Sequence, residues 1–257
     1  MHFFAKILAC AVMAAAAINV ASAEEWTKVR IGTEGAYPPF NYIDSNGELQ
    51  GFDIEIAKAL CDEMKVECEF IAQDWDGIIP ALLANKYDAI IASMSITPER
   101  KQVVDFTNKY YSTPPALVAG KDSTLTETTP AALEGMTVGV QSATTHATYV
   151  EDKYTGSDVR LYPTQEEANA DLASGRLDAV MADLVVLSEW LKTENSGCCK
   201  MIGAVENDPQ YFGEGVGIAI RKEDTALRDK FNAAIEAIRA NGTYQAINDK
   251  FFAFSVY

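Results

Sequence analysis

The chain repeats itself. Asn85-Lys86-Tyr87-Asp88-Ala89-Ile90-Ile91-Ala92-Ser93 is echoed, ninety residues on, by Gly175-Arg176-Leu177-Asp178-Ala179-Val180-Met181-Ala182-Asp183. Each copy reads as a helix-to-strand turn followed by an apolar strand that ends on a polar residue, so two similar α/β lobes are expected. Ligands of open α/β sheets sit beyond the carboxyl ends of the strands. Ser93 and Asp183 would then occupy equivalent places, one per lobe, on a shared cleft. A looser echo agrees: Val29-Arg30-Ile31-Gly32 and Thr137-Val138-Gly139-Val140 each open a lobe and each run into a polar loop.

The first 23 residues combine a weakly basic start (His2, Lys6), an Ala-rich apolar run from Ile7 to Val20, and Ala21-Ser22-Ala23 before Glu24. That is the pattern of a cleaved secretory signal peptide, with mature residue one at Glu24 and the mature protein exported. Cys10 falls inside the apolar run rather than after it, which argues against a lipoprotein. Loss of Lys6 takes the formal charge from −16 to −17, a surface that disfavours nucleic acid and anionic lipid as partners. Export permits disulfides. Cys61 and Cys68 lie close enough in sequence to bridge the end of a helix and the start of a strand, and this bond is expected. Adjacent Cys198 and Cys199 are compatible with a mutual bond, an outward link or free thiols. With His146 as its one histidine and no second cysteine pair at ligand spacing, the mature chain offers no zinc site, and no cofactor is expected.

Periodicity alternates strand and helix. Helices are expected at Phe52–Met64, Asp76–Asn85, from Pro98, Thr145–Tyr154, Gln165–Ser174, Leu184–Lys192, Thr225–Ala240 and Tyr244–Phe252, with short apolar strands between them. Two breaks interrupt the alternation, Ser112-Thr113-Pro114-Pro115 and the run from Pro209 to Gly217. They suggest a two-strand hinge joining a discontinuous first lobe (24–112 plus 211–257) to a contiguous second lobe (113–210). Gly213-x-Gly215 precedes a strand rather than a helix and so fails as a nucleotide fingerprint.

Ile31-Gly32-Thr33-Glu34-Gly35-Ala36-Tyr37-Pro38-Pro39-Phe40, Gly51-Phe52-Asp53-Ile54-Glu55, Trp75-Asp76-Gly77-Ile78-Ile79-Pro80-Ala81-Leu82, Ser93-Met94-Ser95-Ile96-Thr97-Pro98-Glu99-Arg100 and Asn241-Gly242-Thr243-Tyr244 resemble the polar amino-acid-binding periplasmic proteins of ABC importers. The nearest branch is the lysine/arginine/ornithine, histidine and opine binders. The resemblance implies a two-lobed α/β periplasmic-binding-protein fold (type II), a monomer that docks on ABC permease subunits, and a ligand cleft containing Glu34, Tyr37, Trp75, Ser93, Met94, Ser95, Arg100, Thr144, Thr145 and Asp183.

The residues suit those roles. The planar fork of Arg100 can donate two parallel hydrogen bonds to a ligand carboxylate, joined by Ser93, Ser95 and the helix start at Thr144 and Thr145. Asp183 suits an ammonium. Arg100 and Asp183 neutralise a zwitterion and leave Glu34 over, so a Glu34 that faces the cleft calls for a second cation on the ligand. Tyr37 and Trp75 offer flat faces to a butyl stem or guanidinium. More ordinary alternatives are a surface ion pair of Arg100 with Glu99 or Asp105, capping by Ser95 and Thr97, and a cap by Asp183 for the helix at Leu184. Ala92 stands where several relatives have serine, Glu34 is longer than the Asp common among them, and Gln141-Ser142-Ala143 replaces a Leu-Gln-Gly pattern. These departures keep an opine in play as an alternative ligand. The fold also hosts cyclohexadienyl dehydratases, but His146 at a helix start reads as a polar contact rather than a catalytic base. A sensor module would need a separate signalling partner.

Overall fold

The computed structural model describes residues 26–193 and 197–257; the expected signal peptide lies outside them. In chain order the elements are β1 (Lys28–Thr33), β2 (Ala36–Tyr37), β3 (Asn41–Ile43), β4 (Leu49–Gln50), α1 (Phe52–Met64), β5 (Glu67–Ala72), α2 (Ile78–Leu83), β6 (Ala89–Ile90) and β7 (Asp105–Phe106). There follow β8 (Pro115–Gly120), β9 (Thr137–Gln141), α3 (Thr145–Lys153), β10 (Asp158–Tyr162), α4 (Gln165–Ala173), β11 (Ala179–Asp183), α5 (Leu184–Trp190) and β12 (Cys199–Ala204). The chain closes with α6 (Pro209–Phe212), β13 (Ala219–Ile220), α7 (Thr225–Ala240) and α8 (Thr243–Phe251).

Two five-stranded sheets form, ordered β5-β1-β6-β13-β7 and β10-β9-β11-β8-β12. In each, the first three strands run parallel and the fourth is antiparallel to its neighbours. Both faces of each sheet are covered, so the inner strands alternate between two apolar layers. Ala89 and Ile91 face the layer of α1 and α7, while Ile90 and Ala92 face the layer of Ile78 and Leu82. In the second sheet Val138 and Met181 face Ala147 and Val150, while Val180 and Ala182 face Ala168 and Leu172. The backbone passes from one sheet to the other between Phe106 and Pro115 and returns between Ala204 and Ala219. These crossings touch through a Tyr111–Val216 bridge.

The sequence echo has a physical cause. Asp88 and Asp178 precede β6 and β11, and each carboxylate accepts a backbone N–H from the neighbouring first strand, Arg30 at 2.9 Å and Thr137 at 2.7 Å. Gly32 and Gly139 lie beside them because a Cβ would stand 2.5 Å from the Tyr87 ring and 2.4 Å from a Leu177 methyl, the residues just before those two aspartates. The pairing of Ile31 with Ala89 and of Val138 with Ala179 makes Gly32 equivalent to Gly139. The first-strand echo is therefore offset by one residue from the alignment its sequence suggests, and Glu34 corresponds to Gln141.

Helix ends depart from expectation where proline and local polar bonds intervene. The expected Asp76–Asn85 helix is a 3₁₀ turn, Trp75–Gly77, followed by α2, which ends before Asn85 in the left-handed region (φ 59°). The helix expected from Pro98 shrinks to a 3₁₀ turn at Arg100–Gln102, with Thr97 Oγ1 accepting from the Arg100 N–H at 3.2 Å. Cys61 is bonded to Cys68, and Cys198 to Cys199. The first bond ties α1 to β5 across a sequence separation of 7. Replacing both cysteines by serine is expected to lower unfolding free energy by about 2.5 kcal/mol on the chain-entropy relation, read from urea midpoints, with ligand affinity unchanged.

Candidate functional site

Strands β1 and β6 of the first sheet and β9 and β11 of the second end on one space. Glu34, Tyr37, Trp75, Ala92, Ser93, Ser95 and Arg100 line it from the first side, and Gln141, Thr144, Thr145, His146 and Asp183 from the second. About 330 Å³ of space, part of it open to solvent, is left between them. Nine of the ten expected residues thus meet here. Met94 does not: it is fully buried with Trp75, Ile78 and Leu82, while Ser93 and Ser95 on either side of it line the cleft. Gln141, His146 and Ala92 complete the lining. Gln141 was legible only as a polar end to a parallel strand, and His146 only as a residue in the first turn of a helix.

The electrostatics are unusual. Three charged side chains line the space, and among the described residues none of Glu34, Asp183 and Arg100 has an ion-pair partner. The surface pair considered for Arg100 does not form; Asp105 binds Arg228 instead, at 2.7 Å. Arg100 donates to the Ser95 carbonyl (3.1 Å) and the Ala143 carbonyl (3.4 Å) and lies over the Trp75 ring, 5.4 Å from its centroid. Burial brings its guanidinium down to about 10. Asp183 accepts from the Tyr37 hydroxyl (2.9 Å) and the Thr113 hydroxyl. Its side chain makes no capping bond to α5, so the cap reading is overturned. Burial pushes its carboxyl up to about 6, and that of Glu34 to about 7, although Gln141 Nε2 donates to Glu34 at 2.5 Å. Burial and the Arg100 charge hold His146 near 4, so it is neutral at pH 7.

The polar surfaces beside these charges are already oriented. Thr144 caps α3, accepting from the Ala147 N–H at 3.1 Å and donating to the Gln141 carbonyl at 2.7 Å. Its hydroxyl is committed, whereas the N–H groups of Thr145 and His146 have no acceptor in a preceding turn. Ser93 and Ala143 hold left-handed backbones, φ 56° and 53°. Such conformations in non-glycine residues cost of order 1–3 kcal/mol and concentrate at functional sites; here one lies on each side of the cleft.

Further bonds join the two sides: Trp75 Nε1 to the Ala143 carbonyl (3.1 Å) and Ser142 Oγ to Asp76 (2.8 Å). The arrangement can enclose a small molecule bearing one anionic and two cationic groups.

Comparison with known proteins agrees with this geometry. The chain is 51% identical over 232 residues to the L-arginine-binding protein of Pseudomonas aeruginosa, covering 89% of each chain. It is 40% identical to the lysine/arginine/ornithine-binding periplasmic protein of Escherichia coli, again over 89% of each. Among solved structures, an ancestral arginine-binding protein bound to arginine superposes with a TM-score of 0.83 at 38% identity, over 89% of this chain and all of that one. Residues 29–254 match the bacterial extracellular solute-binding proteins, family 3. With two sheets of repeated topology around one charged cleft, the chain is a two-lobed member of that family.

Proposed function

We propose that this protein is a periplasmic receptor that closes on one cationic amino acid, with arginine preferred, and delivers it to the permease of an ABC importer. The observation that carries this reading is the makeup of the cleft lining: the carboxyls of Glu34 and Asp183 against the guanidinium of Arg100, with His146 neutral. Among the described residues Glu34, Asp183 and Arg100 have no ion-pair partner, so that full ionisation of both carboxyls leaves one negative charge over. A buried carboxylate is costly unless a cation meets it. Arginine, lysine and ornithine supply one carboxylate and two cations and balance the site. An octopine-type ligand adds a second carboxylate, is neutral overall, and leaves one enclosed charge unmatched.

In this reading Arg100, the Ser93–Ser95 segment and the start of α3 at Thr144 and Thr145 hold the ligand carboxylate. Asp183 holds its ammonium. Glu34 receives the side-chain cation, between Tyr37 and Trp75. The lobes are 24–112 with 211–257, and 113–210, consistent with the strand membership of the two sheets. The protein acts as a monomer after loss of a signal peptide ending at Ala23 and performs no catalysis: His146 is held neutral in contact with the Phe212 ring (5.6 Å between centroids), which suits a contact residue rather than a base. The relatives' names support the ligand class.

Calorimetric titration of the refolded mature protein is expected to rank arginine, lysine and ornithine above all neutral amino acids. Glu34→Gln should weaken arginine tenfold or more, as about 1.5–3 kcal/mol is the scale of a charged hydrogen bond, and leave glutamine within threefold. Equal losses for the two ligands would refute the charge argument, and Asp183→Ala should weaken every amino acid.

The raised carboxyls set a pH response of known sign. A bound cation favours the ionised forms, so ligand binding must release protons once pH falls through about 7 for Glu34 and about 6 for Asp183. Arginine affinity is expected to fall from pH 8 to pH 5, and Glu34→Gln to remove the upper step. The ligand-free protein should respond oppositely at these two groups. Their folded values exceed the unfolded ones, so the folded state binds more protons and their contribution to stability grows as pH falls. Melting curves with and without arginine across this range test both signs.

A further inference from the structure

Asp53 lines no part of the cleft, yet its carboxylate binds segments that do. It is fully buried in the first turn of α1 and accepts three side-chain donors: Ser93 Oγ at 2.9 Å, Asn41 Nδ2 at 2.9 Å and the Tyr110 hydroxyl at 2.8 Å. Asn41 in turn accepts the Gly35 N–H through Oδ1 at 2.8 Å, so its amide relays the hold to the turn carrying Glu34. Tyr110 lies in the segment crossing to the second sheet, three residues before Thr113, whose hydroxyl donates to Asp183. A carboxylate accepts only, and three donors converging on it match an ionised group. The helix N-terminus favours the same charge.

Ser93 makes the arrangement consequential. Its left-handed backbone (φ 56°) is unfavourable for a residue with a Cβ and persists only where surroundings impose it. The bond from its hydroxyl to Asp53 is such an imposition. It directs the following backbone so that Ser95 reaches the cleft and offers its carbonyl to Arg100.

We infer that Asp53 is a positioning residue for ligand binding, which acts through Ser93 and Asn41 to fix the two cleft-lining turns of the first sheet in their binding geometry. The inference rests on the proposed receptor function but not on the identity of the amino acid. Burial outweighs the three donors and raises the Asp53 carboxyl to about 6.

The test is a double-mutant cycle with L-arginine as the probe in calorimetric titration. Asp53→Asn keeps the shape but presents an N–H₂ to a ring of donors, and is expected to weaken arginine about tenfold in the native background. In Ser93→Gly, where a positive φ needs no side-chain restraint, the same change should cost less than threefold, because coupled residues are non-additive. Equal factors in the two backgrounds would overturn the inference. A second measurement does not depend on the ligand: in the ligand-free protein, Asp53→Asn should accelerate amide exchange at Gly35 at least tenfold beyond any change at the Thr137–Gln141 strand of the other sheet. Unchanged Gly35 protection would overturn it, even for a variant with a lowered melting temperature. Failure of the wild-type protein to bind arginine, with Gly35 responding as expected, would instead refute the cationic-ligand reading alone.

Discussion

Three unmatched charges in one enclosed space govern the rest of this structure. Buried ions ordinarily lose their charge or find a partner, and here the compensation is partial. Glu34 and Asp183 receive neutral donors from Gln141, Tyr37 and Thr113, and Arg100 gives its protons to two carbonyls. These donors carry no net charge and do not offset the loss of water, so burial keeps both carboxyls above their ordinary range. The fold holds the charges apart: Arg100 is fixed in a 3₁₀ turn after β6, Asp183 at the end of β11, and Glu34 just past β1. Because they are on different sheets and strands, they cannot collapse onto one another without moving the layers that carry them.

The repeated sheet topology makes that separation possible, and it was legible because the repeat is enforced by backbone bonds. Asp88 and Asp178 close the same gap in each sheet, and Gly32 and Gly139 admit the same kind of bulky neighbour. Mutating any of these would disturb the strand edge, so both copies keep the pattern and the eye finds it. Ser93 and Asp183 were legible for the same reason, since strand ends point at the cleft; the rest of the expected lining came from the family resemblance. Met94 was misread because a motif read as a block does not tell which of its side chains turn into the core. Gln141 and Asp53 were missed for a different reason. What distinguishes them is a long-range partner, Glu34 across 107 residues and Ser93 across 40, and no local pattern encodes such a pairing. The length of the helix expected from Pro98 failed because the Thr97 cap was visible, but not the pull of Arg100 back onto the Ser95 carbonyl.

Glu34 and Gln141 illustrate how a duplicated scaffold becomes asymmetric. They are equivalent positions, each just after or at the end of the strand that opens its sheet, and they meet across the cleft. Two glutamates there would repel; two glutamines would carry no charge. One of each gives an acidic group a neutral donor and keeps a single negative charge for a ligand to answer.

The bonds across the cleft fall into two sorts, and the difference bears on how closure can depend on ligand. Tyr37 to Asp183 and Gln141 to Glu34 occupy the carboxylates that a cationic ligand would use. An ammonium or guanidinium entering there substitutes a charged donor for a neutral one, or adds to it, and strengthens the link between the two sides. Trp75 to Ala143 and Ser142 to Asp76 involve none of the three charged groups, and a ligand leaves them in place. They are also too few to hold the sides together alone, since a net hydrogen bond contributes about 1 kcal/mol. A ligand shifts a conformational equilibrium only by its differential affinity for the two states. In the proposed receptor that difference would come from the charged links, because only with the two sides together do groups from both surround the same end of the ligand.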